Sequence, residues 1–268
     1  MDISGKSVVV TGGASGIGAA LARQAAQAGA QVCIADLNID LAQSVADEIG
    51  AISVACDVTK ESEIIHAIRS AEAAHGPVDI FVSNAGLGRG DPSHAASASD
   101  ADWMLNWNVH VMSHVWAARA LLPAMISRGS GHFVNVASAA GLLNQIGDAA
   151  YSATKHAAVS FAESLLISHG DDGIGVSVVC PQYVATPLLG LGDADAQGNL
   201  LTAGDVATSV WQGVVDGTFV IMPHPDVAKY NALRGSDPSR WIKGMQMLRA
   251  KAMNEQGGIK VSSFYKLI

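Results

Sequence analysis

The chain has 268 residues, of which 49% are hydrophobic and 15% are charged, so it can form a substantial core and lacks a disordered composition. Sixteen Lys and Arg residues stand against 24 Asp and Glu residues, a net charge of −8, which argues against nucleic acid as a partner. The apolar runs fall far short of the ~20 residues that span a bilayer, so no membrane partner is expected. High apolar content beside low charge predicts surface buried between subunits, as in a homo-oligomer.

Three cysteines and the first residues of the chain predict a cytoplasmic protein. Cys33, Cys56 and Cys180 lie among apolar residues, and their odd number and wide spacing fit neither a disulfide framework nor a zinc site. The N-terminal sequence has no basic segment followed by a long apolar stretch, so we expect no signal peptide.

Apolar segments that predict β-strands alternate with segments of helical periodicity. The predicted strands are Ser7–Thr11, Gln31–Asp36, Ile52–Asp57, Asp79–Asn84, His132–Ala137, Val176–Cys180 and Thr218–Met222. Strands that are apolar on both faces and separated by helices form parallel sheets covered by helices on both sides. The sequence therefore predicts an α/β fold with a doubly wound, Rossmann-like parallel sheet of about seven strands, as a single domain over residues 1–268.

Two regions depart from this alternation. Residues 187–204 are rich in Gly, Asp and Ala without a clear period, which predicts a mobile substrate loop that closes over a ligand. Residues 223–268 follow the last strand as a C-terminal extension, which includes a polar, basic helix around Ser239–Asn254.

A glycine-rich turn joins the first predicted strand to the first helix. It runs from Thr11 to Gly18 with the spacing T-G-x3-G-x-G. Glycines at such a turn let the backbone approach a pyrophosphate, whose charge then lies on the helix N-terminal N–H groups. Turns also contain glycine for purely steric reasons, so this signal is weak alone. Asp36 strengthens it, because an acidic residue ending the second strand can accept hydrogen bonds from an adenosine ribose.

Asp36 also predicts which dinucleotide binds. A 2′-phosphate beside its carboxylate would cost up to ~4 kcal/mol at an effective dielectric constant near 20. No Arg or Lys occurs between Gly12 and Gly18, and the residue after Asp36 is Leu37. The sequence therefore favours NAD over NADP.

Tyr151 and Lys155 lie four residues apart at the start of a long helix with an apolar stripe. At this spacing the phenol and the ammonium share one helical face. A nearby cation stabilises a phenolate, and lowering the tyrosine pKa from ~10 to ~7 requires about 4 kcal/mol. Such a pair alone is more often an ordinary surface contact.

Six short motifs occur in a fixed order between residues 6 and 186. They are Thr11–Gly18, Asp57-Val58, Ser83-Asn84-Ala85-Gly86, Asn108-Val109, Ser138, and Tyr151 with Lys155. In this set and order the chain resembles the short-chain dehydrogenase/reductase family. Two positions depart from the family pattern. Ser83 replaces an asparagine, and Gln182 replaces the glycine after Pro181, which leaves the shape of the pocket floor open.

The resemblance implies hydride transfer between a nicotinamide cofactor and a secondary alcohol or ketone, in a dimer or homotetramer. It implies that Tyr151 is the general acid or base and that Lys155 binds the nicotinamide ribose and lowers the tyrosine pKa. It also implies that Ser138 binds the substrate oxygen, and that Asn108 holds a water through which protons leave.

The resemblance further implies which residues contact the two ligands. The implied cofactor contacts are Gly12, Ser15, Gly16, Ile17, Gly18, Asp36, Asp57, Val58, Asn84, Ala85, Gly86, Tyr151, Lys155, Pro181, Val184 and Thr186. The implied substrate contacts are Ser138, Gln145, Tyr151, Tyr183 and Leu188, although Tyr183 packing against the loop is an equal alternative. Apolar residues nearby, among them Leu142, Leu143 and Ile146, favour a small hydrophobic alcohol or ketone.

Other interpretations stay open from the sequence. An NADP-dependent carbonyl reductase is one, and a non-catalytic dinucleotide-binding sensor or scaffold is another, although a pure binding protein does not need the tyrosine. His110 and His114 have the i, i+4 spacing of a metal pair, but packing at a dimer interface is the favoured interpretation and no metal is predicted.

Overall fold

The computed structural model describes residues 2–267, so the two ends of the predicted domain, Met1 and Ile268, lie outside the described residues. Its centre is a seven-stranded sheet whose paired strands all run parallel. The strands are β1 (Ser7–Thr11), β2 (Gln31–Asp36), β3 (Ile52–Ala55), β4 (Ile80–Ser83), β5 (Gly131–Val136), β6 (Ile174–Val179) and β9 (Val220–Ile221). A separate two-stranded ladder joins β7 (Val184–Ala185) to β8 (Leu201–Thr202).

Helices cover both faces of the sheet. They are α1 (Gly16–Gln27), α2 (Ile39–Ile49), α3 (Glu61–His75), α4 (Asp100–Trp107), α5 (Ser113–Arg128), α6 (Ala149–His169), α7 (Ala203–Asp216), α8 (Pro225–Ser236) and α9 (Pro238–Gln256). A π-helical turn, Asn108–Met112, joins α4 to α5. Short 3₁₀ segments span Ala139–Gly141, Gly170–Asp172, Pro187–Leu189, Asp193–Asp195 and Val261–Leu267.

Alternate residues of β1 belong to two separate cores. Val9 packs with residues of α3, α5 and α6, whereas Val8 and Val10 pack with residues of α1, α2 and α7. Because side chains alternate across a strand, a strand buried on both faces is apolar throughout, which is why the sequence shows continuous apolar runs. The doubly wound single domain predicted from that pattern is confirmed.

The strand order locates the functional edge of the sheet. It is β3-β2-β1-β4-β5-β6-β9, so the direction in which the chain adds strands reverses between β1 and β4. Sheets of this kind bind ligands outside the carboxyl ends of the strands at such a reversal.

The C-terminal extension packs against the loop that follows β5. Val227 and Trp241 form a small core with Ala139 and Leu143 of that loop. The Arg234 guanidinium donates a hydrogen bond to the carbonyl oxygen of Leu142. The polar helix predicted near the end of the chain corresponds to α9.

Cys33, Cys56 and Cys180 are buried and free of disulfides. No helix in the described part of the chain is long and apolar enough to cross a membrane. Met104 and Ile167 are large apolar side chains on the surface, the latter 85% exposed. The predicted oligomer stays a prediction.

Candidate active site

A cleft of about 960 Å³ opens at the carboxyl ends of the strands, and we call it the main cleft. It runs from Asp36, the last residue of β2, and Asp57, just after β3, to Ser138 and Tyr151 beyond β5. The predicted site residues line this cleft, with the exceptions of Gly18 and Asn108. The glycine-rich turn and the Tyr–Lys pair thus lie at one continuous site.

The glycine-rich turn forms one wall of the main cleft. Gly12 and Gly16 have φ angles of +63° and +51°, a backbone conformation that favours glycine. A Cβ at Gly18 would lie 2.1 Å from the carbonyl oxygen of Gly12, so Gly18 serves the close packing of α1 against the turn and not ligand contact. Ser15 precedes α1 and makes no side-chain cap, which leaves the first N–H groups of this described helix facing the cleft.

Asn84 holds the turn to the segment that follows β4. Its side-chain amide donates hydrogen bonds to the carbonyl oxygens of Thr11 (2.9 Å) and Gly12 (3.2 Å). In return, the backbone N–H groups of Asn84 and Ala85 donate to the Thr11 hydroxyl, at 3.0 and 3.2 Å. These bonds fix the two loops across the strand reversal.

Asp36 is held at the end of β2 by two backbone N–H groups. Ala14 donates to one carboxylate oxygen at 3.0 Å and Asn38 donates to the other at 2.9 Å. The next side chain, Leu37, is 77% exposed and carries no charge. The carboxylate is therefore fixed at the edge of the cleft with no cation immediately after it.

Tyr151 and Lys155 come from the first turns of α6, where Asp148 accepts a hydrogen bond from the Tyr151 N–H at 3.0 Å and so caps the helix. The Lys155 Nζ lies 5.5 Å from the centre of the Tyr151 ring. It donates to the carbonyl oxygen of Val136 at 2.9 Å, and the residue is only 3% exposed. The ammonium is thus fixed between α6 and the end of β5.

Ser138 lies with Tyr151 and Lys155 at one end of the main cleft, which we call the reacting end. Its hydroxyl accepts a hydrogen bond from the Ala140 N–H at 3.1 Å, and its interaction with the Tyr151 phenol acts to lower the pKa of that phenol. The Ala139 N–H donates to the Pro181 carbonyl at 2.7 Å, which joins the segments that follow β5 and β6. Ser138 and Tyr151 both line this end of the main cleft, so one bound group can contact both residues.

Burial dominates the protonation of Tyr151 and Lys155. Burial raises the pKa of Tyr151 to about 12, although the hydrogen bond with Ser138 acts in the opposite direction. Burial lowers the pKa of Lys155 to about 8. Loss of solvation therefore outweighs the effect of Ser138, and the pKa of the tyrosine lies above its ordinary value. At neutral pH the phenol keeps its proton, which is the form that donates to a carbonyl oxygen.

The structure does not place Asn108, the fourth predicted catalytic residue, with the other three. Asn108 begins the π-helical turn and does not line the main cleft. His110 is also outside the lining of the main cleft, but it is fully buried and its ring packs against Tyr151 at a centroid distance of 5.3 Å. Its Nε2 accepts a hydrogen bond from the Leu87 N–H at 3.2 Å, so Nδ1 carries the proton and donates to the Thr154 hydroxyl at 3.0 Å.

The sequence contained a signal for this assignment. Residues two apart on a helix point in nearly opposite directions, so Asn108 and His110 do not both face Lys155. The expectation that His110 and His114 pack at a dimer interface is wrong, because both are buried within a single chain. Burial lowers the pKa of His114 to about 3, so it is neutral. Within residues 2–267, no three His, Cys, Asp or Glu side chains are grouped as a metal site requires.

Two variants test whether Asn108 or His110 is needed for catalysis. His110→Phe keeps a ring against Tyr151 but removes both hydrogen bonds, so we expect kcat to fall tenfold or more through misplacement of the Leu87 segment and Tyr151. Asn108→Ala changes a partly exposed side chain, and kcat should stay within about threefold. Steady-state kinetics of both variants checks this. The reverse order of effects would restore Asn108 to the catalytic set.

Gln182 is accommodated without backbone strain. No residue other than glycine has a positive φ in the described chain. The Gln182 N–H donates to Nδ1 of His224 at 3.1 Å, and the opposite ring nitrogen donates to the Tyr183 carbonyl at 3.0 Å. His224 belongs to the C-terminal extension and was not predicted from the sequence. The backbone at Gln182 and Tyr183 is thus held by a histidine that lies outside the predicted motifs.

The predicted substrate loop forms the rim of the main cleft. Pro187, Leu188 and Leu189 line it. The segment contains two 3₁₀ turns and then joins β8. That it moves on ligand binding stays a prediction.

Comparison with known proteins shows which family the chain belongs to. The sequence profile described as short chain dehydrogenase matches residues 6–196, well over half of the chain. The chain belongs to the short-chain dehydrogenase/reductase family. Borneol dehydrogenase, mitochondrial, from Lavandula x intermedia is 34% identical over 212 residues, which are 76% of this chain and 82% of that protein.

Two known structures of this family share the fold. A short-chain dehydrogenase/reductase from Burkholderia phymatum in complex with NAD has a TM-score of 0.80 and 30% identity, covering 88% of this chain and 95% of the other. A 3-ketoacyl-(acyl-carrier-protein) reductase from Brucella melitensis, complexed with NADH, has a TM-score of 0.76 and 30% identity, covering 82% and 97%.

Members of the family bind a nicotinamide dinucleotide, and the residues of this short-chain dehydrogenase/reductase fit one. The backbone at Gly12 leaves no room for a side chain, because a Cβ there would lie 2.8 Å from Cα of Ala85. The uncapped N-terminus of α1 suits a pyrophosphate. Asp36 suits the adenosine ribose, and Lys155 suits the nicotinamide ribose. When bound, the nicotinamide supplies or accepts the hydride.

Proposed function

We propose that this protein is an NAD-dependent alcohol dehydrogenase or ketone reductase acting on hydrophobic secondary alcohols and ketones. The observation that carries the proposal is the placement of Ser138, Tyr151 and the buried Lys155 around one point at the end of the main cleft. A protein that only binds dinucleotide gains nothing from a buried ammonium beside a phenol.

Each of these residues has a distinct task. In the direction of reduction, the carbonyl carbon gains a hydride and Tyr151 donates its proton to the carbonyl oxygen. Ser138 donates a hydrogen bond to the same oxygen and stabilises the charge that develops on it. Lys155 holds positive charge beside the phenol and stabilises the phenolate left behind. Oxidation reverses these steps, and Tyr151 then accepts the proton of the alcohol.

Asp36 supports NAD as the preferred cofactor. We expect NAD to be favoured over NADP at least tenfold in kcat/KM, about 1.4 kcal/mol, because a 2′-phosphate would lie beside a fixed carboxylate. Asp36→Ala combined with Leu37→Arg should erase or reverse this preference. Asp36→Asn is a second variant, which removes the charge and retains an oxygen for only one of the two N–H groups, of Ala14 or of Asn38. Equal use of both cofactors by the wild-type protein would contradict the assignment.

The substrate class is proposed from the lining at the reacting end. Leu87, Val109 and Leu188 line the main cleft together with Tyr183. These side chains favour an apolar substrate over a sugar or a hydroxy acid.

The proposal is tested with purified protein, NAD and a panel of secondary alcohols, by following NADH absorbance. Turnover of alicyclic, aryl or alkyl carbinols and not of sugars or hydroxy acids is the expected result. Binding of NAD without turnover of any alcohol, or of any ketone with NADH, would overturn the proposal and favour a sensor.

A further inference from the structure

A second cavity of about 340 Å³ lies between the C-terminal extension and the loop after β5, and we call it the C-terminal chamber. Leu143 and Ile146 form one wall. Leu233 of α8, Trp241 of α9 and Phe264 of the last 3₁₀ segment are among the residues of the other wall. Its volume lies at the lower end of the range of roughly 300–1,000 Å³ for small-molecule sites.

The C-terminal chamber adjoins the reacting end of the main cleft. Ser138, Gln145, Gln182 and Tyr183 line both cavities. The Tyr183 hydroxyl donates to Oε1 of Gln145 at 3.0 Å, so this pair lies at the boundary between them. Burial raises the pKa of Tyr183 to about 12, so the hydroxyl remains a neutral donor. A ligand bound at Ser138 can therefore extend a substituent into the C-terminal chamber, and only the hydrogen bond between Tyr183 and Gln145 lies at the boundary.

The lining of the chamber selects the chemistry of its occupant. Leu143, Trp241 and Phe264 are buried, and Met245 and Leu248 add apolar surface. Arg240 is the only charged residue of the described lining, and it is exposed to solvent. An apolar group gains by transfer into such a space, whereas a charged group loses solvation and meets only Arg240 as a charged partner in the described lining.

We propose that the C-terminal chamber binds an extended apolar substituent of the substrate, while the carbinol carbon lies at Ser138 and Tyr151. This inference rests on the proposed function and narrows its substrate class to carbinols and ketones with one long alkyl or ring-bearing substituent. Gln145 and Tyr183 then act at the junction, where their hydrogen bond opens to admit the substituent. The extension, which follows the region matched by the family profile, supplies the selectivity.

Gly244 allows the chamber to be filled without disturbing the fold. It lies on α9 in the chamber wall, and a Cβ there meets nothing within 4 Å. Gly244→Phe therefore places a ring in the chamber, and replacing glycine inside a helix favours the helix. Gly235→Phe is the matched control, because Gly235 lies on α8 with equally open surroundings and does not line the chamber.

The test compares methyl n-alkyl ketones from 2-butanone to 2-undecanone with NADH. For the wild-type protein, kcat/KM should rise about fourfold for each methylene that enters the chamber, the ratio expected for burying one methylene. With Gly244→Phe the rise should stop at a shorter chain, while 2-butanone keeps its wild-type kcat/KM. Gly235→Phe should reproduce the wild-type series. An unchanged series in Gly244→Phe, or a wild-type kcat/KM that does not depend on chain length, would overturn the inference and leave the proposed function standing.

A binding measurement separates this inference from the proposed function. Calorimetric titration of 2-undecanol into protein saturated with NADH forms a complex that cannot react, so it reports binding without turnover. We expect 2-undecanol to bind at least tenfold more weakly to Gly244→Phe than to the wild-type protein or to Gly235→Phe. Equal affinities would overturn the inference whether or not any ketone is reduced. Weaker binding to Gly244→Phe without reaction of any ketone would overturn the proposed function and leave the C-terminal chamber as a binding site for apolar chains.

Discussion

Replacing Tyr151 with Phe should lower kcat by two or more orders of magnitude while the protein still folds and binds NAD. The change removes only the hydroxyl that transfers the proton, and positioned acid–base groups contribute roughly 10²–10⁴-fold. The ring and its edge contact with His110 stay in place. Steady-state kinetics with a verified substrate, together with NAD titration and thermal unfolding, measures the three quantities.

Tyr265→Phe is the control for this experiment. It removes the same hydroxyl from a tyrosine that lines neither cavity. Its kcat should stay close to that of the wild-type protein. If Tyr151→Phe retained most of the wild-type activity, the proton-transfer role would be wrong.

Replacing Lys155 with Met should abolish most activity and at the same time stabilise the fold at neutral pH. Burial lowers the pKa of Lys155 from 10.5 to about 8. At pH 7 the buried ammonium therefore costs about 3 kcal/mol, which the hydrogen bond to Val136 does not fully offset. Methionine fills a similar volume without a charge.

The difference in stability between Lys155→Met and the wild-type protein should depend on pH. Between pH 8 and pH 10.5 the unfolded chain holds the lysine proton and the folded protein does not. Unfolding then takes up a proton, so the free energy of unfolding of the wild-type protein increases as the pH rises through this window. The advantage of Lys155→Met should therefore shrink by about 2–3 kcal/mol between pH 7 and pH 10.

Denaturant unfolding at a series of pH values, without added cofactor, measures that advantage. Lys243→Met controls for the loss of a positive charge, because Lys243 is exposed on α9. A stability difference between Lys155→Met and wild type that does not vary with pH would show that the buried ammonium carries no such cost.

The fold was predictable because its strands are buried on both faces. The strands are mostly apolar segments, and the structure retains all seven, although the last is shortened to Val220–Ile221. The ladder of β7 and β8 was not predicted, since each strand has only two residues and neither lies in a longer apolar run such as the one that contains β9.

The site was predictable where its residues lie close together in the sequence. The glycine-rich turn and the Tyr151–Lys155 pair depend on local spacing, and both line the main cleft. His224 acts through contacts with Gln182 and Tyr183, some forty residues away, and no local pattern marks it. The raised tyrosine pKa depends on how densely the chain packs around the phenol, which spacing alone does not reveal.

Hydride transfer between a carbinol carbon and the nicotinamide is the reaction that the main cleft should support. The direct measurement uses 2-octanol deuterated at its carbinol carbon, incubated with the protein and NAD, followed by mass spectrometry of the NADH formed. The expected result is NADH that contains one deuterium, with formation at least a hundredfold slower in Tyr151→Phe. Failure to form NADH from this or any other secondary alcohol, or NADH formed without deuterium, would contradict the account.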